Sequence, residues 1–387
     1  MKIFTQPRVR SGLYLIAAIQ LMTFAARGLA NPFVNLYLVS VGFTGTQIGF
    51  LSSISALVQL TVAPLLHSLA DRTGRHQQLY FGLLTLNICA CVGLVVFGGA
   101  PILLGGMILF RDLADVPGTA LLSQLTITWL EQRRRQIYGK LRAWGSFGWA
   151  LTTMVSGGLF AIGGYPLLFI LSALFNLGVL PLVRVLPPHT TEPRTNSAPT
   201  ASRPRGFYIL LLSVFLFFVG ANAFNAFSYI YFKRDLGASN QMIGIISSLA
   251  ALSEIPAMML IDRLIRRSDI RVTLAVGLFG LGALWIAVSQ LSGTALLIPL
   301  MLLRGTFFTL QVVSLTLLVS RISHPANVAT NQSLAQVTIP GLAILLTGSA
   351  SGWLFDHAGA RSLFQIAALL AIFSAGLLIL ARKQLVD

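Results

Sequence analysis

Six charged side chains lie inside long apolar stretches of this sequence, and they are the first candidates for chemistry. A charge at the centre of a lipid bilayer costs about 2.5–3.5 kcal/mol even on a lenient insertion scale, so none of them is expected to face lipid. Each should face a watery cavity, a partner of opposite charge, or both. The six residues are Arg27, Arg111, Asp112, Asp115, Glu254 and Arg304.

Spacing predicts how several of these charges are arranged. Arg111 and Asp115 are four residues apart, so they share a helix face and can form an ion pair. Asp112 points about 100° away from Arg111 on that helix. Pro117 can bend the helix just beyond them and free backbone carbonyls towards a cavity. Two interpretations stay open: ion pairs that hold helices together, or groups that bind a solute or a proton.

Amide side chains extend the same polar lining. Three pairs of polar residues share helix faces: Asn31 with Asn35, Asn222 with Asn225, and Arg304 with Gln311. Because amides inside a membrane often only bridge helices, solute contact is one of two interpretations. Arg304 has no acid nearby in sequence, and its planar fork suits a carboxylate or phosphate. We therefore predict an anionic or oxygen-rich solute group on Arg304, with Arg27 or Arg111 assisting. If Arg304 instead pairs with Asp112, a neutral sugar or nucleoside is favoured.

The composition places these charges in a membrane protein. Of the 387 residues, 55% are hydrophobic and 10% are charged, against roughly 25% charged in soluble domains. Apolar runs of about 20 residues, long enough to cross the hydrocarbon as helices, recur and predict an all-α integral membrane protein with twelve transmembrane helices. The predicted spans are 12–38, 46–69, 78–98, 101–129, 141–163, 165–186, 207–232, 240–262, 271–291, 295–320, 328–355 and 361–381.

Basic residues orient these spans. Of the 27 lysines and arginines, four lie inside spans and three lie in the loops of one side, which leaves 20 for the other side and both termini. Since positive charge marks the cytoplasmic side, both termini are predicted to be cytoplasmic, in a bacterial plasma (inner) membrane. A net charge of +16 on its own would suggest a nucleic-acid partner. Because most arginines fall in short loops between apolar runs, we predict a lipid bilayer, and no nucleic acid, as partner.

A repeat divides the chain into halves. Ile48–Arg72 and Ile243–Arg267 align without a gap at an offset of 195 residues (243 minus 48). In this alignment Glu254 corresponds to Gln59. A lone buried carboxylate suits a proton carrier, although a hydrogen-bonded glutamic acid that never titrates is equally compatible. We predict three segments: an N-terminal six-helix bundle at 1–186, a cytoplasmic linker rich in Pro, Ser and Thr at 187–206, and a C-terminal six-helix bundle at 207–387.

Twelve spans in two parallel halves resemble the major facilitator superfamily, whose halves are related by an axis along the membrane normal. Ser68–Arg75 reads SLADRTGR and resembles that family's loop between helices two and three, with His67 at the position of its first glycine. In that family helices one, four, seven and ten line the cavity, so the resemblance implies that Asp112 meets Arg27 there. It also implies a cytoplasmic gate at this loop and, more weakly, at its second-half copy. The gate residues are Asp71, Arg72, Arg75, Asp262 and Arg263.

A narrower resemblance concerns the fifth span. Tyr138–Leu151 reads YGKLRAWGSFGWAL and is similar to the start of helix five in lactose permease and its relatives among nucleoside and phenylpropionate proton symporters. It implies that Arg142 binds sugar hydroxyls and that Trp149 stacks on a sugar ring. The tenth span departs from that pattern, because Arg304 and Phe307 stand where lactose permease has a histidine and a proton-carrying glutamate. A proton site is therefore expected elsewhere, and the candidates are Asp112, Asp115 and Glu254.

Together these features predict a secondary transporter that moves a small organic solute, such as a sugar, a nucleoside or an organic anion, by alternating access coupled to protons. No G-x-x-x-x-G-K-[ST] motif occurs, so ATP is not the expected energy source. The alternative with the same fold is a drug or metabolite exporter, although Ser156-Gly157-Gly158 lacks the Gly-Pro of the exporters' signature in helix five. A lipid transporter, a sensor and an enzyme are further alternatives. No catalytic residue, metal ligand or cofactor is predicted, and we expect a monomer.

Overall fold

The computed structural model describes residues 7–129, 138–186, 205–324 and 327–381, and within these ranges the regular structure is helical. At a few positions, including Asp71, Asp262 and Arg263, only the backbone is described. The helices are α1 (Pro7–Ser40), α2 (Gly45–Thr73), α3 (His76–Val96), α4 (Pro101–Trp129), α5 (Tyr138–Val185), α6 (Arg205–Arg234), α7 (Asn240–Arg267), α8 (Ile270–Ser289), α9 (Leu297–Ile322), α10 (Val328–Ser333), a π-helical turn (Leu334–Thr338) and α11 (Ile339–Leu380).

Two of these helices are long enough to cross a membrane twice. α5 has 48 residues and α11 has 42. At 1.5 Å per residue these lengths correspond to about 72 and 63 Å, roughly twice the 30 Å hydrocarbon core. Each helix is interrupted at a glycine with positive φ, Gly164 at 61° and Gly359 at 78°. The interruptions fall at the boundaries predicted between spans five and six and between spans eleven and twelve.

The other predicted spans also match helices. Nine continuous helical stretches in the described ranges are long and apolar enough to span a bilayer. Two of these stretches contain most of α5 and all of α11, and each of these two provides two crossings, which gives eleven. α4 adds one more, because it forms a continuous helix of 29 residues despite its three charged side chains. The eleventh span is composite, since α10 continues through the π-helical turn into the first arm of α11. The prediction of an all-α membrane protein with twelve crossings is confirmed for the described residues.

The linker predicted at 187–206 lies outside the described residues as far as residue 204. The last two residues of the predicted linker are helical in the structure: α6 begins at Arg205, and Gly206 is buried within it. Basic and small residues are compatible with a helix start at a membrane surface, where the chain leaves water. The boundaries of the two six-helix bundles stay a prediction.

The chain forms two compact units. α2 and α7 each contribute to both: the first half of α2 belongs to the second unit, and the first turns of α7 belong to the first unit. The first unit comprises Met1–Tyr37, Thr61–Thr195 and Ser239–Ser248, and the second comprises Leu38–Leu60, Asn196–Ala238 and Leu249–Asp387.

Each unit has its own apolar core. In the first unit α3 packs against both α4 and α5, around buried residues that include Ile19, Leu121 and Val179. In the second unit α11 packs against α6 and α8, and the ring of Phe224 stacks on Trp285 at 5.4 Å between centroids. The position of α3 between α4 and α5 places one of its polar side chains, Asn87, against Asp115 of α4.

Helix contacts repeat with the same period as the sequence. Within the second unit, α2 approaches the first arm of α11 so closely that a Cβ on Gly49 would overlap the carbonyl oxygen of Gly348. Within the first unit, α7 approaches the first arm of α5 in the same way, and a Cβ on Gly244 would overlap the carbonyl oxygen of Thr153. Corresponding members of the two pairs are 195 residues apart, which is the offset of the sequence repeat. The duplication therefore extends to the packing of these helices.

Candidate functional site

A cluster of opposite charges lies in the first unit, centred on Arg111 of α4. The Arg111 side chain is 6% exposed, and its guanidinium lies 3.6 Å from the Asp115 carboxylate and 3.7 Å from Asp112. It also donates a hydrogen bond to Oδ1 of Asn31 on α1. The ion pair predicted from the i, i+4 spacing of Arg111 and Asp115 is therefore present.

Arg27 of α1 joins the same cluster through Asp115. Its Nε lies 3.3 Å from Asp115 Oδ1, and its Nη2 donates to the backbone carbonyl of Asp115. The carboxylate paired with Arg27 is that of Asp115, and the expected contact between Arg27 and Asp112 stays a prediction. Two arginines and two aspartates thus stand together, so the charge of this cluster is compensated.

Two asparagines that the sequence analysis missed complete the cluster. Asn87 of α3 donates from Nδ2 to Asp115 Oδ1 at 2.9 Å, and Asn176 of α5 donates from Nδ2 to Asn87 Oδ1 at 2.9 Å. The Cys91 thiol lies 3.5 Å from the same Asn87 oxygen. The available signal was an amide in the middle of an apolar span, which also fits a simple bridge between helices.

A small cavity adjoins this cluster within the first unit. Its volume is about 20 Å³, which is room for about one water molecule. The Tyr80 hydroxyl and the Thr23 hydroxyl, 3.0 Å apart, form part of its wall. Its polar lining consists of Thr23, Arg27, Tyr80, Asn87, Asp115 and Asn176.

The residues carried over from the sugar-porter resemblance lie beside this cluster. The Arg142 guanidinium of α5 lies 4.2 Å from the centre of the Phe24 ring, and the Arg27 guanidinium lies 5.4 Å from it. Such cation–π contacts orient both guanidinium groups on one aromatic ring. Trp149, two turns beyond Arg142, packs partly buried against the apolar core. Asn35, one turn beyond Asn31 on α1, is partly buried.

The arginine of the second unit has a different environment. Arg304 of α9 donates from Nη2 to Oδ1 of Asn225 on α6 at 3.0 Å, and Asn222 lies partly exposed one turn earlier on α6. Among the residues that the structure describes, Arg304 forms no ion pair. The side chain of Gln311 is 2% exposed, and its Oε1 has no hydrogen-bond partner in the described part of the chain.

Glu254 lies on α7 where this helix packs against α9. A Cβ on Gly305, the residue after Arg304, would lie 3.2 Å from the Glu254 backbone nitrogen. The Glu254 side chain is partly buried. Glu254 therefore sits level with Arg304 along the contact of two neighbouring helices in the second unit.

The expected gate residues are placed by the backbone at helix ends. Arg72 lies in the last turn of α2, Arg75 is the N-cap of α3, and both side chains are exposed. The side chains of Asp71, Asp262 and Arg263 lie outside the described set, so the gate stays a prediction. His67, at the glycine position of the motif, places Nε2 3.4 Å from the carbonyl oxygen of Pro117 on α4. A polar contact stands there in place of a glycine.

Comparisons with known proteins agree with this architecture. Residues 13–366 match the model of the MFS_1 like family. The chain is 26% identical over 362 residues to the probable 3-phenylpropionic acid transporter of Escherichia coli K12, covering 90% of this chain and 92% of the relative. It is 28% identical over 276 residues to the maltose permease of Geobacillus stearothermophilus, covering 69% and 68%.

Solved structures show the same fold at low sequence identity. The nucleoside transporter NupG superposes with a TM-score of 0.78 at 18% identity, over 96% of this chain and 99% of that one. A bacterial homolog of the human lysosomal transporter Spinster superposes with a TM-score of 0.74 at 14% identity, over 98% of each chain. The relatives are permeases and transporters, not enzymes. The chain therefore belongs to the MFS_1 like family and is a multi-pass membrane transporter of the major facilitator superfamily.

Proposed function

We propose that this transporter moves a small organic solute that carries a carboxylate or another anionic, oxygen-rich group, and that proton movement drives it. The observation that carries the proposal is the hydrogen bond from Arg304 to the neutral amide of Asn225, at 3.0 Å. A guanidinium whose described partner is an amide keeps donors for a planar anion. Its sequence counterpart Arg111 already has Asp112 and Asp115 within 4 Å.

The side-chain oxygen of Gln311 indicates that the solute also carries a hydrogen-bond donor near Arg304. Its Oε1 is buried without a partner in the described residues, and an unsatisfied buried acceptor is costly unless something binds it. Gln311 lies two turns from Arg304 on α9. A solute with both a carboxylate and a hydroxyl or amine would satisfy both side chains, with Asn222 as a further neighbour.

The relatives' substrates fit this range of chemistry. One relative is described as a probable transporter of 3-phenylpropionic acid, an aromatic carboxylic acid, and others are described as a maltose permease and a nucleoside transporter. In the first unit Arg142 and Trp149 offer a donor and an indole ring that suit an aromatic or sugar ring. Asn31, Asn35, Arg27 and Arg111 are the further candidates for solute contact in the first unit.

Proton coupling is assigned to the membrane-embedded acids Asp112, Asp115 and Glu254. Asp115 stands between two guanidinium groups, so its protonation would release both arginines from their partner and change what they can bind. From the loop charges we infer that both termini are cytoplasmic and that the membrane is the bacterial inner membrane. We also infer that the transporter works as a monomer. The alternative to a proton-coupled solute transporter is a drug or metabolite efflux antiporter of the same fold.

Transport assays in proteoliposomes test the proposal. Purified protein is assayed with 3-phenylpropionate, maltose and a nucleoside, with and without an imposed inside-alkaline pH gradient. We expect gradient-driven accumulation of the carboxylate and at least a tenfold loss of its uptake in Arg304→Ala. The matched control is Arg234→Ala, which removes an arginine that is 56% exposed and should leave uptake unchanged.

Two outcomes contradict the proposal. If only the neutral solutes are transported, the anion assignment is wrong. If Arg304→Asp combined with Asp112→Arg restores transport that either single variant loses, the two residues form a structural pair and Arg304 does not bind the solute.

A further inference from the structure

We propose that Asn87 and Asn176 are positioning residues that hold the Asp115 carboxylate in the geometry in which it exchanges its proton. The inference rests on the proposed function, in which Asp115 takes part in proton coupling. It concerns two residues of α3 and α5 that lie behind the charged cluster rather than among the expected solute contacts.

The hydrogen bonds fix the direction of both amides. An ionised carboxylate only accepts hydrogen bonds, so Asn87 must turn its Nδ2 towards Asp115, as it does at 2.9 Å. Its Oδ1 then points to Asn176, which must in turn present Nδ2, also at 2.9 Å. Asn87 is 5% exposed and Asn176 is 4% exposed, so water does not replace either bond freely. The two hydrogen-bonded amides therefore hold Asp115 Oδ1 in a defined position, from the side of α3 and α5.

The duplicated half shows that helix packing does not require these amides. The repeat offset of 195 residues relates Asn87 to Gly282 on α8 and Asn176 to Ala371 on α11. These counterparts also lie at a helix contact, since a Cβ on Gly282 would lie 3.2 Å from the Ala371 Cβ. The counterpart of Asp115, aligned through Arg111 and Arg304, is Phe308. One half thus makes the contact with small apolar residues, and the other half makes it with an amide chain that ends on an acid.

Buried polar groups in a membrane protein are costly and therefore point to function. Here Asn87, Asn176 and Asp115 occur together in one half of the chain, beside a cavity of about 20 Å³. One water in that cavity could carry a proton to or from the carboxylate. The bond from Asn87 occupies Oδ1, while Oδ2 lies 3.6 Å from Arg111.

Other charged or titratable groups also surround Asp115. α1 contributes Arg27, α4 contributes Arg111 and Asp112, and α3 contributes Tyr80 and Cys91, whereas α5 contributes the neutral Asn176. The arginines supply the electrostatic stabilisation of the ionised carboxylate. The amides orient the Asp115 carboxylate. Removing them should alter its proton exchange while its ion pairs with the arginines persist.

The test is a double variant, Asn87→Gly with Asn176→Ala, which gives the first half the residue pair that the second half already packs. In proteoliposomes we expect counterflow exchange of 3-phenylpropionate within about threefold of the wild type, because exchange needs no net proton movement. Accumulation driven by an inside-alkaline gradient should fall at least tenfold. The pH midpoint of accumulation should differ from that of the wild type, because the carboxylate loses a hydrogen-bond donor.

Two further variants separate positioning from packing. Asn87→Ser keeps a hydroxyl donor and should restore part of the accumulation and shift the pH midpoint less. The matched control is Ser213→Ala with Ser374→Ala, which removes a buried hydroxyl pair, 2.8 Å apart, between α6 and α11 in the second unit. This control should leave both the accumulation and the pH midpoint unchanged.

The outcomes distinguish this inference from the proposed function. If Asp115→Asn abolishes accumulation but the amide double variant keeps the wild-type accumulation and pH midpoint, the positioning role is wrong and the proton site stands. Parallel loss of exchange and accumulation in the double variant and in Asn87→Ser, at an unchanged pH midpoint, would mean a structural role. A wild-type protein that accumulates no solute under the gradient would overturn the proposed coupling, and this inference with it.

Discussion

Removing the Asp115 carboxylate should destabilise the transporter much more than removing an exposed carboxylate, because Asp115 neutralises a buried arginine. The Arg111 side chain is 6% exposed and the Asp115 side chain is 17% exposed. Removing one partner of a buried ion pair costs about 3–5 kcal/mol, mainly because the other charge stays buried without compensation. Asp112, 3.7 Å from Arg111, retains part of the compensation, so we expect about 3 kcal/mol for Asp115→Leu.

A double-mutant cycle isolates the interaction. Asp115→Leu, Arg111→Met and the double variant are compared by reversible denaturant unfolding in detergent, and the coupling free energy should be about 1–3 kcal/mol. The matched control is the exposed pair Arg234 and Asp235, 3.3 Å apart with side-chain exposures of 56% and 36%, for which about 0–1 kcal/mol is expected. A coupling free energy at Arg111–Asp115 no larger than that of the exposed pair would refute the assignment of a buried, mutually dependent pair.

Three further variants test the gate, the proton site and the helix contacts. Asp71→Asn should cut transport while solute affinity stays within severalfold, if the resemblance correctly implies that this charge belongs to the cytoplasmic gate; unchanged transport in proteoliposomes would contradict this prediction. Glu254→Gln should abolish gradient-driven accumulation yet keep counterflow exchange, and loss of both would make Glu254 structural. Gly49→Leu should lower Tm by several degrees, because its side chain would overlap the Gly348 backbone. Gly82→Ala, with no atom within 4 Å, should not lower Tm, because alanine favours a helix more than glycine does. Equal effects of the two glycine variants would contradict the close approach.

Much of the fold follows from local properties of the sequence. Span length and apolarity predicted the boundaries between spans five and six and between spans eleven and twelve, and the structure places Gly164 and Gly359 there, where a positive φ interrupts the helix. The Arg111–Asp115 pair was predictable for the same reason, since i, i+4 spacing within one helix needs no knowledge of its neighbours.

Contacts between helices were less predictable, because they depend on how each helix is rotated and in which register it packs. Arg27 pairs with Asp115, a partner that the spacing did not indicate, because Asp112 and Asp115 lie less than one turn apart on α4. Asn87 and Asn176 reach Asp115 from two other helices, and nothing in their local sequence identifies that partner. The repeat offers one further signal. Asn87 corresponds to Gly282 in the other half, so helix packing at this position does not require an amide, and its presence points to another role.

The proposed preference of Arg304 for an anion is tested most directly by calorimetric titration with 3-phenylpropionate and with its uncharged amide. These ligands have nearly the same shape and differ mainly in charge. We predict that the wild-type protein binds the acid at least tenfold more tightly than the amide, and that Arg304→Gln removes this preference while binding the amide as before. Equal affinity of the wild type for both ligands, or a preference for the acid that survives in Arg304→Gln, would contradict the assignment of Arg304 as the anion site.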